Sequence, residues 1–333
     1  MLTKVQVVTV GHAIVDVLAP SPDDLVERFG LEKGTMTLVD DSRAHDIYAA
    51  LGPATEVSGG SAANTAACLA SLGTRVAFVG KVAADGLGTV FTHDIRASGV
   101  SFEVEPSPDG PGTGRALIMV TPDAEKTMCT NLGVGAYLSA GDIDAAVVAG
   151  ADVVYLEGYL CGKPESASAV AAAVSAARDS ETLVAFSASD PAWVDMFTAE
   201  LRALLDDVDI LFANEEEAHR LAGTTDLDRA VEILHGTCPV VAVTLGARGS
   251  IVLDRRLGET TMISVPAHPV TQVVDTTGAG DSFAAGFLHG LVNGMGPDRA
   301  ARLGALAASE VVSHLGARPV ASLSERARSA GLL

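Results

Sequence analysis

Aromatic side chains make up only 4% of this sequence, with one tryptophan, so any core it forms must rest on small aliphatic residues. Basic residues are also scarce: 22 Lys and Arg stand against 42 Asp and Glu, a net charge of −20. A field of that sign repels phosphate backbones and anionic lipid, which argues against a nucleic-acid-binding or membrane-surface protein; its plainer role is solubility. Cysteines number four, Cys68, Cys129, Cys161 and Cys238, with no CxxC pair, and read as reduced, mostly buried thiols. The opening stretch lacks a charged leader, a long apolar block and a small-residue cleavage site, because Gly11, His12 and Asp16 interrupt its apolar run. No run of about 18 uncharged apolar residues suggests a membrane span. A cytoplasmic protein is expected.

What is present is apolar and regular. Hydrophobic residues reach 48% of 333, enough for one large α/β domain with a small accessory unit, or for two modest domains. Residues 5–10, 76–79, 153–156, 183–186, 210–212 and 240–244 are β-branched or apolar runs that read as buried strands. Between them lie helical stretches, among them 62–72, 87–97, 165–178, 215–222 and 226–235, the first two closed by Gly73 and Gly99. Strands follow at 250–253 and 262–265, and helices at 281–293 and 298–314 are expected to close the chain. This alternation predicts an α/β fold with a mostly parallel central sheet and helices on both faces. Residues 14–45 and 106–135 do not fit the alternation, being extended and rich in turn residues. They are expected to form a small β lid together.

The strongest motif is Val273-Val274-Asp275-Thr276-Thr277-Gly278-Ala279-Gly280-Asp281. It reads as a strand running into a glycine-rich turn that opens a helix. Gly278, Ala279 and Gly280 have little or no side chain, so their N–H groups can approach an anion at the positive end of the helix dipole. Asp281 stands beside them in the first helical turn, where a carboxylate can take the proton of an attacking hydroxyl. A lone G-x-G-D would be no more than a tight turn and a dipole-complementing acid.

The full string, together with Gly59-Gly60-Ser61-Ala62-Ala63-Asn64 and Gly80-Lys81-Val82-Ala83-Ala84-Asp85-Gly86-Leu87-Gly88, resembles the ribokinase-like (PfkB-type) carbohydrate and nucleoside kinases over essentially the whole chain. Within that family it is most similar to bacterial adenosine-kinase-like members, through the Leu31–Asp40 stretch, Ser187-Ala188-Ser189-Asp190-Pro191 and His314-Leu315-Gly316-Ala317-Arg318-Pro319. The resemblance implies an ATP- and Mg²⁺-dependent kinase with Asp281 as catalytic base and Gly278, Ala279 and Gly280 as anion hole. It implies that Asp16, Gly60 and Asn64 hold hydroxyls of a sugar or ribose. His12 stands where adenosine-kinase-like relatives carry an amide near the sugar, and Ser61 where ribokinase-type relatives tend to have Lys.

The same resemblance links Asn214 and Glu217 to nucleotide and Mg²⁺ handling, the metal reached through water. Read locally, Asn214 and Glu217 also make a helix capping box. Thr244, Gly246 and Gly249 resemble the nucleotide-contacting turn, and Ser309 would border the adenine. Asp275 and Thr277 match positions that bind a monovalent cation, K⁺ for example, in some relatives. Arg115 and Lys126, on the expected lid, are candidate phosphate partners or solvated surface charges.

Other nucleotide and hydrolase signatures fail. Gly80-Lys81 is followed by Val82 and preceded by Arg75 where a P-loop needs Gly; a dinucleotide fingerprint from Gly278 would need Gly at Phe283; a nucleophile elbow at Ser61 lacks its last glycine. The expected substrate is adenosine first, then another nucleoside, then ribose, fructose or a keto-deoxy sugar acid. A catalytically inactive nucleotide-binding regulator is the reading from another class. The resemblance leaves monomer and homodimer both open.

Overall fold

Neighbouring side chains along the apolar strands enter different cores, which is why those strands read as continuous hydrophobic runs. The computed structural model describes residues 4–123, 125–256 and 258–333. Its strands, in chain order, are β1 (Val7–Val10), β2 (Ile14–Pro20), β3 (Met36–Leu38), β4 (Thr55–Gly59), β5 (Val76–Val79), β6 (Gly114–Val120), β7 (Lys126–Asn131), β8 (Val153–Glu157), β9 (Leu183–Ser187), β10 (Ile210–Asn214), β11 (Val240–Thr244), β12 (Ser250–Asp254) and β13 (Thr261–Val265).

Eight of them form one sheet in the order β13-β12-β11-β10-β9-β8-β1-β5. It is parallel from β5 through β11, and β12 and β13 add antiparallel to its far edge. Val153 and Tyr155 of β8 face a core shared with helices Ser61–Leu72, Ala279–Val292 and Pro297–Val311. Val154 and Leu156 face the opposite core, under helices Pro164–Arg178, Glu215–Ala222 and Leu227–Thr237. The expected ribokinase-like architecture is therefore present. No helix among the described residues is long and apolar enough to cross a membrane.

The other five strands make a second sheet in the order β3-β7-β6-β2-β4. Four come from the two turn-rich segments. The fifth, β4, lies outside both and is not among the strands read from the sequence. Its sequence, Thr-Glu-Val-Ser-Gly, has little local strand signal; it is held by antiparallel pairing with β2, Asp16 opposite Val57. One face of this sheet, through Val15, Val17, Leu117 and Met119, packs on Leu25, Val26, Ala44 and Ile47 of helices Asp23–Arg28 and Asp41–Ala50. The other carries Asp16 and a small aliphatic cluster of Ile14, Ala116 and Ile118, flanked by Leu18 and Met128.

Two expectations need correction. The glycine-rich turn is not preceded by a strand: residues 273–277 are irregular, Val273 and Val274 are exposed, and among the described residues the backbone N–H groups that tie the segment to the rest of the fold are Val274 N and Asp275 N, both donating to Val312 O. Without a neighbouring strand to complete a ladder, the apolar pair alone cannot make one. A further helix, Leu323–Ser329, follows the two expected to close the chain; Ser322 caps it, its side chain accepting from Glu325 N.

Candidate active site

Strand β1 lies between β5 on one side and β8 on the other, so the chain changes direction across the sheet at its carboxyl edge. Parallel sheets bind ligands at such a point. Here β1 runs out into Gly11 and His12 while β8 ends at Glu157. Glu157 is almost wholly buried. Its Oε1 accepts from His12 N at 2.8 Å and lies 2.9 Å from His12 Nδ1, and its Oε2 accepts from Ala62 N at 2.8 Å. One carboxylate thus fastens the exit of β1 to the first turn of helix Ser61–Leu72. Sequence reasoning missed Glu157; the signal was an acid closing a strand otherwise wholly apolar. His12, expected near the sugar, is buried with Nδ1 engaged by Glu157.

Gly59 and Gly60 deliver that helix. A Cβ on Gly59 would stand 2.4 Å from Asp16 Oδ2, and one on Gly60, whose φ is +96°, would stand 2.3 Å from His12 O. Only glycines let the backbone pass this close to the residues beside it. Asn64, one turn in, comes level with Asp281.

Asp281 sits in the first turn of helix Ala279–Val292, whose N-cap Gly278 is left-handed at φ +76°. A Cβ on Gly278 would come within 2.9 Å of Ala317, whereas one on Gly280 would meet nothing within 4 Å, so the turn is closed behind and open in front. Ser61 Oγ donates to Asp281 Oδ1 at 2.6 Å and Asn64 Nδ2 to Oδ2 at 3.4 Å. Burial nevertheless raises the Asp281 carboxyl to about 7, against these donors and with repulsion from Glu157 and Asp16. Asp16, on β2, is raised to about 6 by burial, which Arg318 and Lys126 oppose and Asp275 reinforces.

Asp275 gathers several donors. Its Oδ1 accepts from Thr277 N at 3.1 Å and Thr277 Oγ1 at 2.7 Å; its Oδ2 accepts from Gly316 N at 2.9 Å and pairs with Lys126 Nζ. Burial pushes this carboxyl up, but Lys126, Thr277 and Gly316 prevail and hold it below its ordinary value. Asp275 and Thr277 therefore come together, with an ammonium against the carboxylate. Lys126 is no solvated surface charge. Arg115 lies on the opposite face of the small sheet, over the Tyr48 ring and near Asp41, away from the site.

A second group stands on neighbouring strands of the same edge. Asn214 at the end of β10 accepts from Glu217 N at 2.9 Å, and Glu217 accepts from Asn214 N at 2.8 Å and Nδ2 at 2.7 Å. The capping box is real. Glu217 is buried, and burial, with repulsion from Asp190, Asp281 and Glu216, raises it to about 7 despite the Asn214 bond. Among the described residues no group of three or more His, Cys, Asp or Glu is placed to hold a bare metal ion. With both Glu217 oxygens engaged by Asn214 and other carboxylates nearby, the residues fit a hydrated Mg²⁺ held through water rather than a caged one. Thr244, Gly246 and Gly249 form the turn from β11 into β12, joined to the Asn214 helix by the Arg248–Glu215 ion pair. Ser309 is buried in helix Pro297–Val311 and donates to Leu306 O at 2.7 Å.

Comparison with known proteins bears on this geometry. The family model described as pfkB family carbohydrate kinase matches residues 36–323. Among solved structures, a probable sugar kinase from Rhizobium etli is 42% identical with a TM-score of 0.92, each chain covered fully. An adenosine kinase from Sinorhizobium meliloti is 44% identical with a TM-score of 0.91, over 98% of this chain and 100% of that one. A ribokinase from Arabidopsis thaliana is 32% identical over 280 residues, 79% of this chain and 69% of the relative.

Proposed function

The chain belongs to the pfkB family of carbohydrate kinases, phosphotransferases with alcohol acceptors, and from that premise we propose that it moves the γ-phosphate of ATP to a hydroxymethyl group of a nucleoside, adenosine foremost. The observation that carries the reading is Asp281 beside the open glycine turn, in reach of Ser61 and Asn64. A carboxyl raised to about 7 is a base matched to neutral pH: ionised in a large fraction, yet basic enough to take a hydroxyl proton as the bond to phosphorus forms. The N–H groups of Gly278, Ala279 and Gly280 face the charge that builds on the transferring phosphoryl group. Asp16, Gly60 and Asn64 hold the acceptor's other hydroxyls, with His12 behind them. Asn214, Thr244, Gly246, Gly249 and Ser309 border the nucleotide. Mg²⁺, when bound, neutralises phosphate charge, and Glu217 holds it through water. At Asp275 and Thr277, the positive charge that K⁺ would bring is supplied by Lys126. The small sheet acts as a lid that keeps water from the γ-phosphate.

Two observations favour a nucleoside. The Sinorhizobium relative is an adenosine kinase, and the face of the small sheet beside Asp16 is aliphatic, through Ala116, Ile118, Leu18 and Met128. That surface suits a flat, weakly polar base better than a free polyol. The Arabidopsis ribokinase relative keeps a sugar kinase as the second reading. An inactive regulator would have no need of Asp281 and its donors. The test is ATP turnover by the purified protein with adenosine, other nucleosides, ribose, fructose and a keto-deoxy sugar acid. The reading expects adenosine to give the highest kcat/KM; a sugar in first place selects the second reading, and no turnover with any acceptor overturns both.

A further inference from the structure

The segment Gly316-Ala317-Arg318 follows the last core helices and touches three parts of the site in succession. Gly316 N donates to Asp275, Ala317 packs against Gly278, and Arg318 reaches across to the acceptor side. Arg318 Nε donates to Asn64 Oδ1 at 3.3 Å, and Nη1 donates to Ser58 Oγ on β4. Ser58 is itself held by Asp94, whose Oδ2 accepts from Ser58 N at 3.0 Å. Nη2 is buried with no partner among the described residues. Buried donors are normally satisfied, so an orphan beside a site asks for an explanation.

A guanidinium only donates, so the atom of Asn64 that faces it must be oxygen, and this fixes the amide with Nδ2 towards Asp281. Without Arg318 the amide could turn over and set its oxygen against the base. The carboxylate acting most strongly on Arg318 is Asp16, ahead of Asp94, and Arg318 is in turn the chief opposing charge on Asp16. The charged groups that bear on Asp16 are Arg318, Lys126 and Asp275, with Asp281 across the site.

We propose that Arg318 is the positioning residue of the acceptor site: Nε orients the Asn64 amide towards Asp281, Nη1 holds Ser58 on β4, and Nη2 is left free to donate to an acceptor hydroxyl. The inference rests on the reading of Asp16 and Asn64 as acceptor-binding residues. It extends that reading, because no motif in the sequence assigns Arg318 a role.

The test is steady-state kinetics with adenosine and ATP, on wild type, Arg318→Met and Arg318→Lys. Loss of a charge-assisted partner should raise the KM for adenosine in Arg318→Met by at least about 10-fold and lower kcat, because the Asn64 amide is then free to turn away from Asp281, while the KM for ATP stays put. Arg318→Lys should lose kcat as well, since an ammonium cannot hold Ser58 and Asn64 as a fork does. An unchanged KM for adenosine in Arg318→Met, or KM values for adenosine and ATP raised alike, the mark of a merely structural role, overturns the proposal. Should the Met variant not fold, a Lys variant with wild-type kcat overturns it equally. A wild type inactive on adenosine and on every sugar tested fails the kinase reading, and with it the site on which Arg318 acts.

Discussion

Ser61 Oγ and Asp281 Oδ1 are 2.6 Å apart across 220 residues of sequence, and this contact joins the two glycine motifs into one site. It gives the base an orienting donor before any acceptor is bound. An acceptor hydroxyl would then approach the carboxylate between Ser61 and Asn64. Replacing Asp281 by Asn keeps the shape and removes the proton acceptor. Asp281→Asn should therefore cut kcat by at least about 100-fold, the scale for losing a general base, while calorimetry shows ATP and acceptor binding little changed. A kcat near the wild-type value would remove Asp281 from the chemistry.

Stability and activity should run in opposite directions with pH. Asp281 and Asp16 rise from an ordinary 3.8 to about 7 and about 6, and Glu217 from 4.5 to about 7, chiefly through burial. Between about pH 4 and 7 the native state therefore holds protons that the unfolded chain has released, so these groups make stability fall as pH rises through that window. Below it, the carboxylates held low, Asp142, Asp254 and Asp275, reverse the trend as they protonate. The base must be ionised to work, so kcat should rise over the same window. Scanning calorimetry should find the highest Tm near about pH 4, and Asp281→Asn should raise the Tm at pH 8 by about 1–2 °C for each kcal/mol recovered, with a smaller gain at pH 5. A Tm that climbs steadily to pH 8 in the wild type would contradict the burial argument.

Much of this was legible in the sequence because it is local. The parallel sheet follows from apolar runs such as Val240–Thr244 alternating with helices, and the candidate base was singled out by one unbroken string ending at Asp281. What escaped is non-local. Strand β4 exists only because β2 pairs with it, and nothing in its own five residues requires that. Glu157 and Arg318 act across distances the chain order hides: Arg318 lies 254 residues from Asn64, and Glu157 95 from Ala62. Lys126 stood out as a cation on a turn-rich segment, but its partner is the carboxylate of Asp275. Conversely, Val273 and Val274 looked like a strand because β-branched pairs usually are, and the structure offers them no neighbour.

Glu217 separates a cap from a metal-handling role. Gln can keep one of the two Asn214 contacts and, at pH 8, removes a carboxylate that burial disfavours, so Glu217→Gln should leave the Tm at pH 8 no lower than that of the wild type. If Glu217 also holds hydrated Mg²⁺, the amide should in addition raise the Mg²⁺ concentration for half-maximal turnover, measured at fixed ATP. An unchanged Mg²⁺ requirement would reduce Asn214 and Glu217 to a capping box alone.

Lys126 ties the small sheet to the glycine turn. It projects from β7 on the face that also carries Asp16, and its ammonium meets Asp275, three residues before Gly278. Asp275 is nearly buried, so its charge needs a partner, and removing the partner of a buried charge is far costlier than breaking a surface pair. Lys126→Met should have two separable effects. With the tie gone, the cover over the acceptor loosens, so the KM for the acceptor should rise, and ATP hydrolysis without acceptor should increase because water reaches the γ-phosphate. With the ammonium gone, the Asp275 carboxylate and Thr277 Oγ1 are left facing a space that a monovalent cation can enter. Turnover of the variant should then be stimulated by K⁺ at constant ionic strength, with tetramethylammonium as the replaced ion, whereas the wild type should be indifferent to the exchange. A wild type that itself requires K⁺, with the variant responding no more strongly, would show that Lys126 does not supply the charge at Asp275. A variant with unchanged acceptor KM and no added hydrolysis would mean that the small sheet is held over the site by its apolar contacts alone.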